Sequence, residues 1–245
     1  MAITYNYRRA SHRAEAKGHY HRDVSGGWLR PAVFGAMDGL VTNVSLITGV
    51  GGSGLPPRAL ILTGLAGLAA GAFSMATGEF VSVSSQNELV GEEVRKERFE
   101  LENHPELECR ELAAVFEDRG VDPDTAFRVA EQLSWDIDKA LAVHIQEELG
   151  LDPEDLPSPY TAGGASLVFF AIGAIIPLLP YLLGIDSLRL AVGLAAVAGF
   201  LGGGVVSRLT GRSFLWGAVR QLLLAAAAAA LTFEIGHLLG AVASG

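Results

Sequence analysis

Cysteine is all but missing from this chain: Cys109 is the only one in 245 residues. That excludes an intramolecular disulfide framework and argues against a thiolate zinc site. The first thirty residues lack an apolar core followed by a small-residue cleavage site. No secretory signal is read there, and the first hydrophobic segment is expected to be an uncleaved span. No nucleophile–base constellation and no cofactor loop occurs, so neither an enzyme nor a catalytic cofactor is expected. The Glu-x-x-His pair of di-iron bundles is absent from the acidic stretch, which also lacks four bundle helices of the right length. Both absences argue against a ferritin-like centre. Acidic side chains are scarce outside one stretch. Residues 88–157 hold 21 of the 27 Asp and Glu but only 7 of the 18 Lys and Arg, a balance of −14, against +5 for the remainder. Such a surface repels phosphates, which argues against nucleic acid as a partner, and it suits cations.

What the chain does have is apolar length. Half of its residues are hydrophobic, and they lie in blocks rather than short periodic segments. Five spans are read at about 32–50, 59–85, 162–184, 188–207 and 213–240, each near the ~20 residues that a bilayer requires. Basic residues precede span one and fill the loop after span four (Arg208, Arg212), so both regions face the cytoplasm by the positive-inside rule. Five spans then leave the C-terminus outside and the acidic block inside. The expected fold is an all-α polytopic membrane protein: a cytoplasmic basic tail (1–30), transmembrane helices one and two (31–86), a cytoplasmic acidic insert of three helices (87–158) and transmembrane helices three to five (159–245). The tail's His12, His19 and His21 have no regular helical spacing and read as part of a flexible segment. Within the spans, Gly35, Gly39, Gly67 and Gly71 have the spacing of close helix packing, Pro177 and Pro180 predict a kink, and Ala225–Ala230 reads as a tightly packed face. Arg220, Glu234 and His237 lie near the ends of span five, where long side chains snorkel.

The stretch Asp38-Gly39-Leu40-Val41-Thr42-Asn43 organises the rest. A charge in hydrocarbon costs at least a few kcal/mol and marks a functional position. Glu79 is the second membrane carboxylate. Asp38 is 8 residues after Arg30 and Glu79 is 9 before Glu88, which at ~1.5 Å per residue places both about 12–14 Å below one membrane edge. Equal depth permits a shared site. Met75, one turn from Glu79, offers either a thioether ligand or packing. In the insert, Glu97, Glu100, Glu108 and Glu111 fall on one helical stripe if the helix runs through Pro105. That stripe is either a solvated face or a site for hard divalent ions. His144, with Glu147 and Glu148, presents a second face with a nitrogen ligand suited to a transition metal.

The strings DGLVTNVSLITGV, AAGAFSMATGEFVSVSSQNE and IPLLPYLL, with the acidic insert between spans two and three, resemble the vacuolar iron transporter family over nearly everything after residue 22. The resemblance implies a homodimer of five-span subunits in a lipid bilayer, exporting Fe²⁺ or Mn²⁺ from the cytosol in exchange for protons. By position, Asp38 and Met75 match that family's membrane metal ligands. Glu97, Glu100, Glu108, Glu111 and Glu148 match its insert glutamates. Two departures stand out. Gly67 replaces a membrane glutamate, for which Glu79 is expected to compensate, and His144-Ile145 replaces a methionine pair. The rival reading is a membrane-anchored metal buffer or sensor that moves nothing. The basic, uncleaved N-terminus fits a prokaryotic plasma membrane.

Overall fold

The computed structural model describes residues 27–148, 150 and 156–243; His12, His19 and His21 fall outside them. Every regular element among the described residues is helical: α1 (Leu29–Gly52), α2 (Pro57–Asn103), α3 (Pro105–Asp118), α4 (Pro123–Ser134), α5 (Ile137–Glu148), α6 (Pro159–Ile175), a 3₁₀ turn (Ile176–Leu178), α7 (Leu179–Leu182), α8 (Leu188–Leu209) and α9 (Phe214–Ala243). Five segments are long and apolar enough to cross a membrane: α1, α2, the α6–α7 run, α8 and α9. The starts follow local chemistry. Proline opens α2, α3, α4 and α6 at a position where its missing N–H costs nothing. Ser158 and Ser187 cap α6 and α8 through their hydroxyls.

Two boundaries differ from the sequence expectation. The second span and the first insert helix are one continuous helix, α2, of 47 residues. Nothing between Ser85 and Asn103 breaks it, and at 1.5 Å per residue it is about 70 Å long, more than twice the ~30 Å hydrocarbon core. It therefore carries the insert clear of the apolar layer. The helix does not survive Pro105. His104 leaves helical geometry (φ −131°, ψ 46°) and a new helix begins at Pro105, because proline clashes with an α-conformation in the preceding residue. The insert thus contains the end of α2 plus three further helices.

In the membrane block α1 is central, touching α2, α6, α8 and α9. Its closest neighbour is α6. A Cβ on Gly39 would collide with the Phe170 carbonyl, and one on Gly173 with the Ala36 carbonyl, so these backbones meet only because both side chains are absent. Gly67 and Gly71 face Leu46 and the Phe170 ring. Leu40, Val44 and Ala195 form one buried cluster, and Ile47, Leu60, Leu178, Tyr181 and Ala191 another. The predicted kink is the 3₁₀ turn at Pro177. Next to it, fully buried Asn43 donates from Nδ2 to the Ala174 carbonyl, tying α1 to the broken helix. Ala225 and Ala229 are buried, while Ala226, Ala227 and Ala230 are exposed, so only one edge of that alanine run packs within the subunit.

Candidate metal centre

The insert closes around three side chains from three helices. Glu97 on α2, Glu108 on α3 and His144 on α5 each offer a ligand atom, all within 4.8 Å of one another. His144 Nδ1 lies 3.0 Å from Glu97 Oε1 and 3.8 Å from Glu108 Oε2. His144 and Glu108 are buried, at 1% and 4% exposure, and the Glu97 side chain is partly open, at 16%. The framework is apolar on both sides. Leu101, Ala140, Leu141 and Ile145 pack α2 against α5, and Cys109, Leu112, Ala113 and Ala130 pack α3 against α4. Arg98 on α2 donates to Asp138 on α5 at 2.7 Å, and Arg119 pairs with Glu147. Two carboxylates and an imidazole at this separation are a donor set for a first-row divalent ion, with oxygen supplying charge and nitrogen the preference over Mg²⁺ or Ca²⁺.

The four-glutamate stripe does not form. The break at His104 turns α3 away from α2, leaving Glu111 exposed and Glu100 paired with His104 Nδ1 at 2.7 Å on the surface. The same break lets Glu108 fold back toward Glu97, with His144 between them. Taken one helix at a time, His144 falls on a separate face; its spacing from Ala140 and Leu141, hydrophobic residues of α5, is the signal that it points inward. Glu148 ends α5, and its side chain lies outside the described residues.

In the membrane block the two carboxylates have different surroundings. Asp38 is half-buried midway along α1, with no hydrogen bond or ion pair among the described residues. Glu79 faces Arg30, at 3.7 Å, from a side chain that is 15% exposed. Its partner is thus the boundary arginine, and no ion pair or hydrogen bond links it to Asp38. Counting depth by Cα missed this because Arg30 and Glu79 are both long enough to meet across two helices. Met75 packs against Ala72, Phe170 and Ala174. Asp38 shares a face of α1 with Thr42, Ser45 and Gly49, at offsets of 4, 7 and 11 residues. Those three line a groove of ≈ 940 Å³ between α1 and α9, with Thr232 and Gly236 opposite. Thr48 and Thr232 hydroxyls meet at 3.0 Å beside it.

Comparison with known proteins adds to this geometry. A family model described as the VIT family matches residues 29–237. A protein of Acanthamoeba castellanii named vacuolar iron transporter is 39% identical over 235 residues, covering 90% of this chain and 83% of that protein. Vacuolar iron transporter 1 of Oryza sativa is 27% identical, covering 90% of each chain, and vacuolar iron transporter 1 of Arabidopsis thaliana is 27% identical, covering 86% and 85%.

Proposed function

Because this chain belongs to the VIT family, and its relatives are named as iron transporters, we propose that it carries Fe²⁺ or Mn²⁺ out of the cytosol in exchange for protons. The observation that carries the reading is the pairing of two features in one chain: a His/Glu/Glu cluster outside the membrane block and one half-buried carboxylate, Asp38, inside it. The insert faces the cytoplasm, captures the ion through Glu97, Glu108 and His144, and raises its concentration near the membrane. Glu100, Glu111 and Glu148 add negative potential around that capture site. Asp38 is the carrier within the bilayer, with Met75 as a soft ligand and Glu79 at the entrance beside Arg30.

A carboxylate holds either a metal ion or a proton on the same oxygens, so each proton that binds Asp38 displaces cargo. That competition supplies the exchange. The hydroxyls of Thr42 and Ser45, on the Asp38 face of α1, give a released ion oxygen contacts along the groove toward the far side. The reading includes a homodimer, whose second copy covers the exposed face of α1 around Phe34 and Asp38. The membrane is a vacuole's, as in the relatives' names, or a plasma membrane; export from the cytosol is common to both.

The test is reconstitution in liposomes loaded with a metal-sensitive dye, with Fe²⁺ or Mn²⁺ outside and with or without a proton gradient. Gradient-dependent entry by the wild type, reduced in Asp38→Asn to the level of protein-free vesicles, is the expected result. Robust entry through Asp38→Asn ends the role assigned to that residue. Binding without entry by the wild type turns the protein into a membrane-anchored buffer.

A further inference from the structure

Three arginines gather where α8 gives way to α9. Arg208 lies in the last turn of α8, Arg212 in the connecting loop and Arg220 in the second turn of α9, and all three are exposed. Two of them share one indole: the guanidinium carbons of Arg212 and Arg220 lie 5.2 and 4.5 Å from the Trp216 ring centroid. Helix spacing explains one contact, since Arg220 follows Trp216 by one turn of α9; Arg212 reaches the ring from the loop before the helix. The Ser213 hydroxyl accepts the Trp216 backbone N–H at 3.2 Å and fixes the start of the helix.

Stacking holds the guanidiniums without neutralising them, and arginine keeps its charge at every relevant pH. No carboxylate among the described residues lies within ion-pair distance of the three. The nearest acid in sequence between 188 and 243 is Glu234, 14 residues beyond Arg220 and about 21 Å along the helix axis. The counter-anion must therefore come from outside this part of the chain. Arg220 is about 9 Å along α9 from Phe214, among Leu215, Val219 and Leu223, which are 66%, 46% and 64% exposed. A half-exposed tryptophan with arginines beside an outward apolar face is the pattern of the headgroup layer, where indole rings settle and guanidiniums meet lipid phosphate.

We propose that Arg212 and Arg220, stacked on Trp216, together with Arg208 at the end of α8, form a binding site for the phosphate of an anionic phospholipid headgroup, whose acyl chains lie along Leu215, Val219 and Leu223. The apolar rim favours a lipid over a free anion, because a soluble phosphate would have to leave water to reach Arg220. The site is independent of transport.

Full-length protein in detergent micelles doped with phosphatidylglycerol or phosphatidylcholine tests it, with retained lipid counted by native mass spectrometry. The wild type should keep phosphatidylglycerol several-fold over phosphatidylcholine. Arg212→Gln with Arg220→Gln should bring the two to parity, while Arg189→Gln at the opposite end of α8 should leave the preference intact. Equal retention of both lipids by the wild type, or an undiminished preference in the double variant, overturns the proposal. Competition by inorganic phosphate also overturns the lipid assignment, by showing a general anion site. If the double variant fails to fold, brominated lipids decide with the wild type. Brominated phosphatidylglycerol should quench Trp216 emission, isolated by subtracting the Trp216→Phe signal, more than brominated phosphatidylcholine does, and the difference should shrink as salt is raised. Equal quenching by the two lipids overturns it.

Discussion

The insert and the membrane block handle negative charge in opposite ways. In the insert, two carboxylates and an imidazole from three helices are brought within 4.8 Å; in the membrane block Asp38 has no ion pair or hydrogen bond among the described residues, and Glu79 is matched with Arg30. The difference follows from the neighbours. In the insert an imidazole is set between the two carboxylates, 3.0 Å from Glu97 and 3.8 Å from Glu108, whereas in hydrocarbon each further ion carries its own desolvation cost. A chain that must both capture a dication and pass it through a bilayer is best served by many ligands outside and few within.

The same contrast holds for packing, and the largest expected effect lies there. Gly39→Leu would drive a side chain into the Phe170 carbonyl, backbone that has no room to move, and should cost about 3 kcal/mol or more, read as a lowered unfolding midpoint in detergent. Glu111→Ala, on the exposed side of α3, should stay within about 0.5 kcal/mol. Equal losses from the two would mean that the bundle is looser than its glycine contacts imply.

Next is the division of labour. His144→Ala removes the nitrogen between Glu97 and Glu108, and Mn²⁺ affinity measured calorimetrically on the full-length protein should fall at least about tenfold, or about 1.4 kcal/mol. Transport should then fail at low metal and recover at high metal, a change in KM with the maximal rate kept. A maximal rate as low as that of Asp38→Asn would break the distinction between capture and passage.

Much of this architecture is legible in the sequence, for a simple reason. A bilayer demands ~20 apolar residues per crossing, so the five spans announce themselves by length and the acidic block by contrast. The continuity of α2 was less visible, because hydropathy changes at Ser85 while helix propensity does not. The fate of Pro105 could be read either way: proline suits a first turn, and the break it causes at His104 decides which glutamates meet. Spacing along one helix cannot report a contact among three, and so Glu97, Glu108 and His144 come together while Glu100 and Glu111 do not. The Arg30–Glu79 pair was hidden for the converse reason, since Cα depth ignores several ångströms of side chain.

That pair provides a smaller test. Arg30 is 85% exposed, so the bridge should add no more than about 1 kcal/mol. Glu79→Gln should therefore keep the fold and a substantial part of the transport rate in the liposome assay. A variant as inactive as Asp38→Asn would show that Glu79 shares the inner site after all, and the contrast between a lone inner carboxylate and a paired outer one would fall.

The smallest expected effect belongs to the start of α5. Asp136 accepts the backbone N–H groups of Asp138 and Lys139 at 3.2 and 3.4 Å, and Lys139 Nζ lies 2.6 Å from its other oxygen. The hydrogen bond from the Lys139 side chain, aided by those N–H groups, holds the Asp136 carboxyl below the ordinary carboxylate value. A folded-state value lower than the unfolded one means that the ionised form favours folding: the contribution is complete above the ordinary carboxylate range and fades as the pH falls through the depressed value. Asp136→Asn keeps the capping geometry and removes the charge, so its unfolding midpoint should sit slightly below that of the wild type near neutrality. The gap should close on acidification. No gap near neutrality would assign the stabilisation to capping, which the variant keeps, rather than to charge, and the insert would then owe its order to helix ends and apolar packing, as the membrane block does.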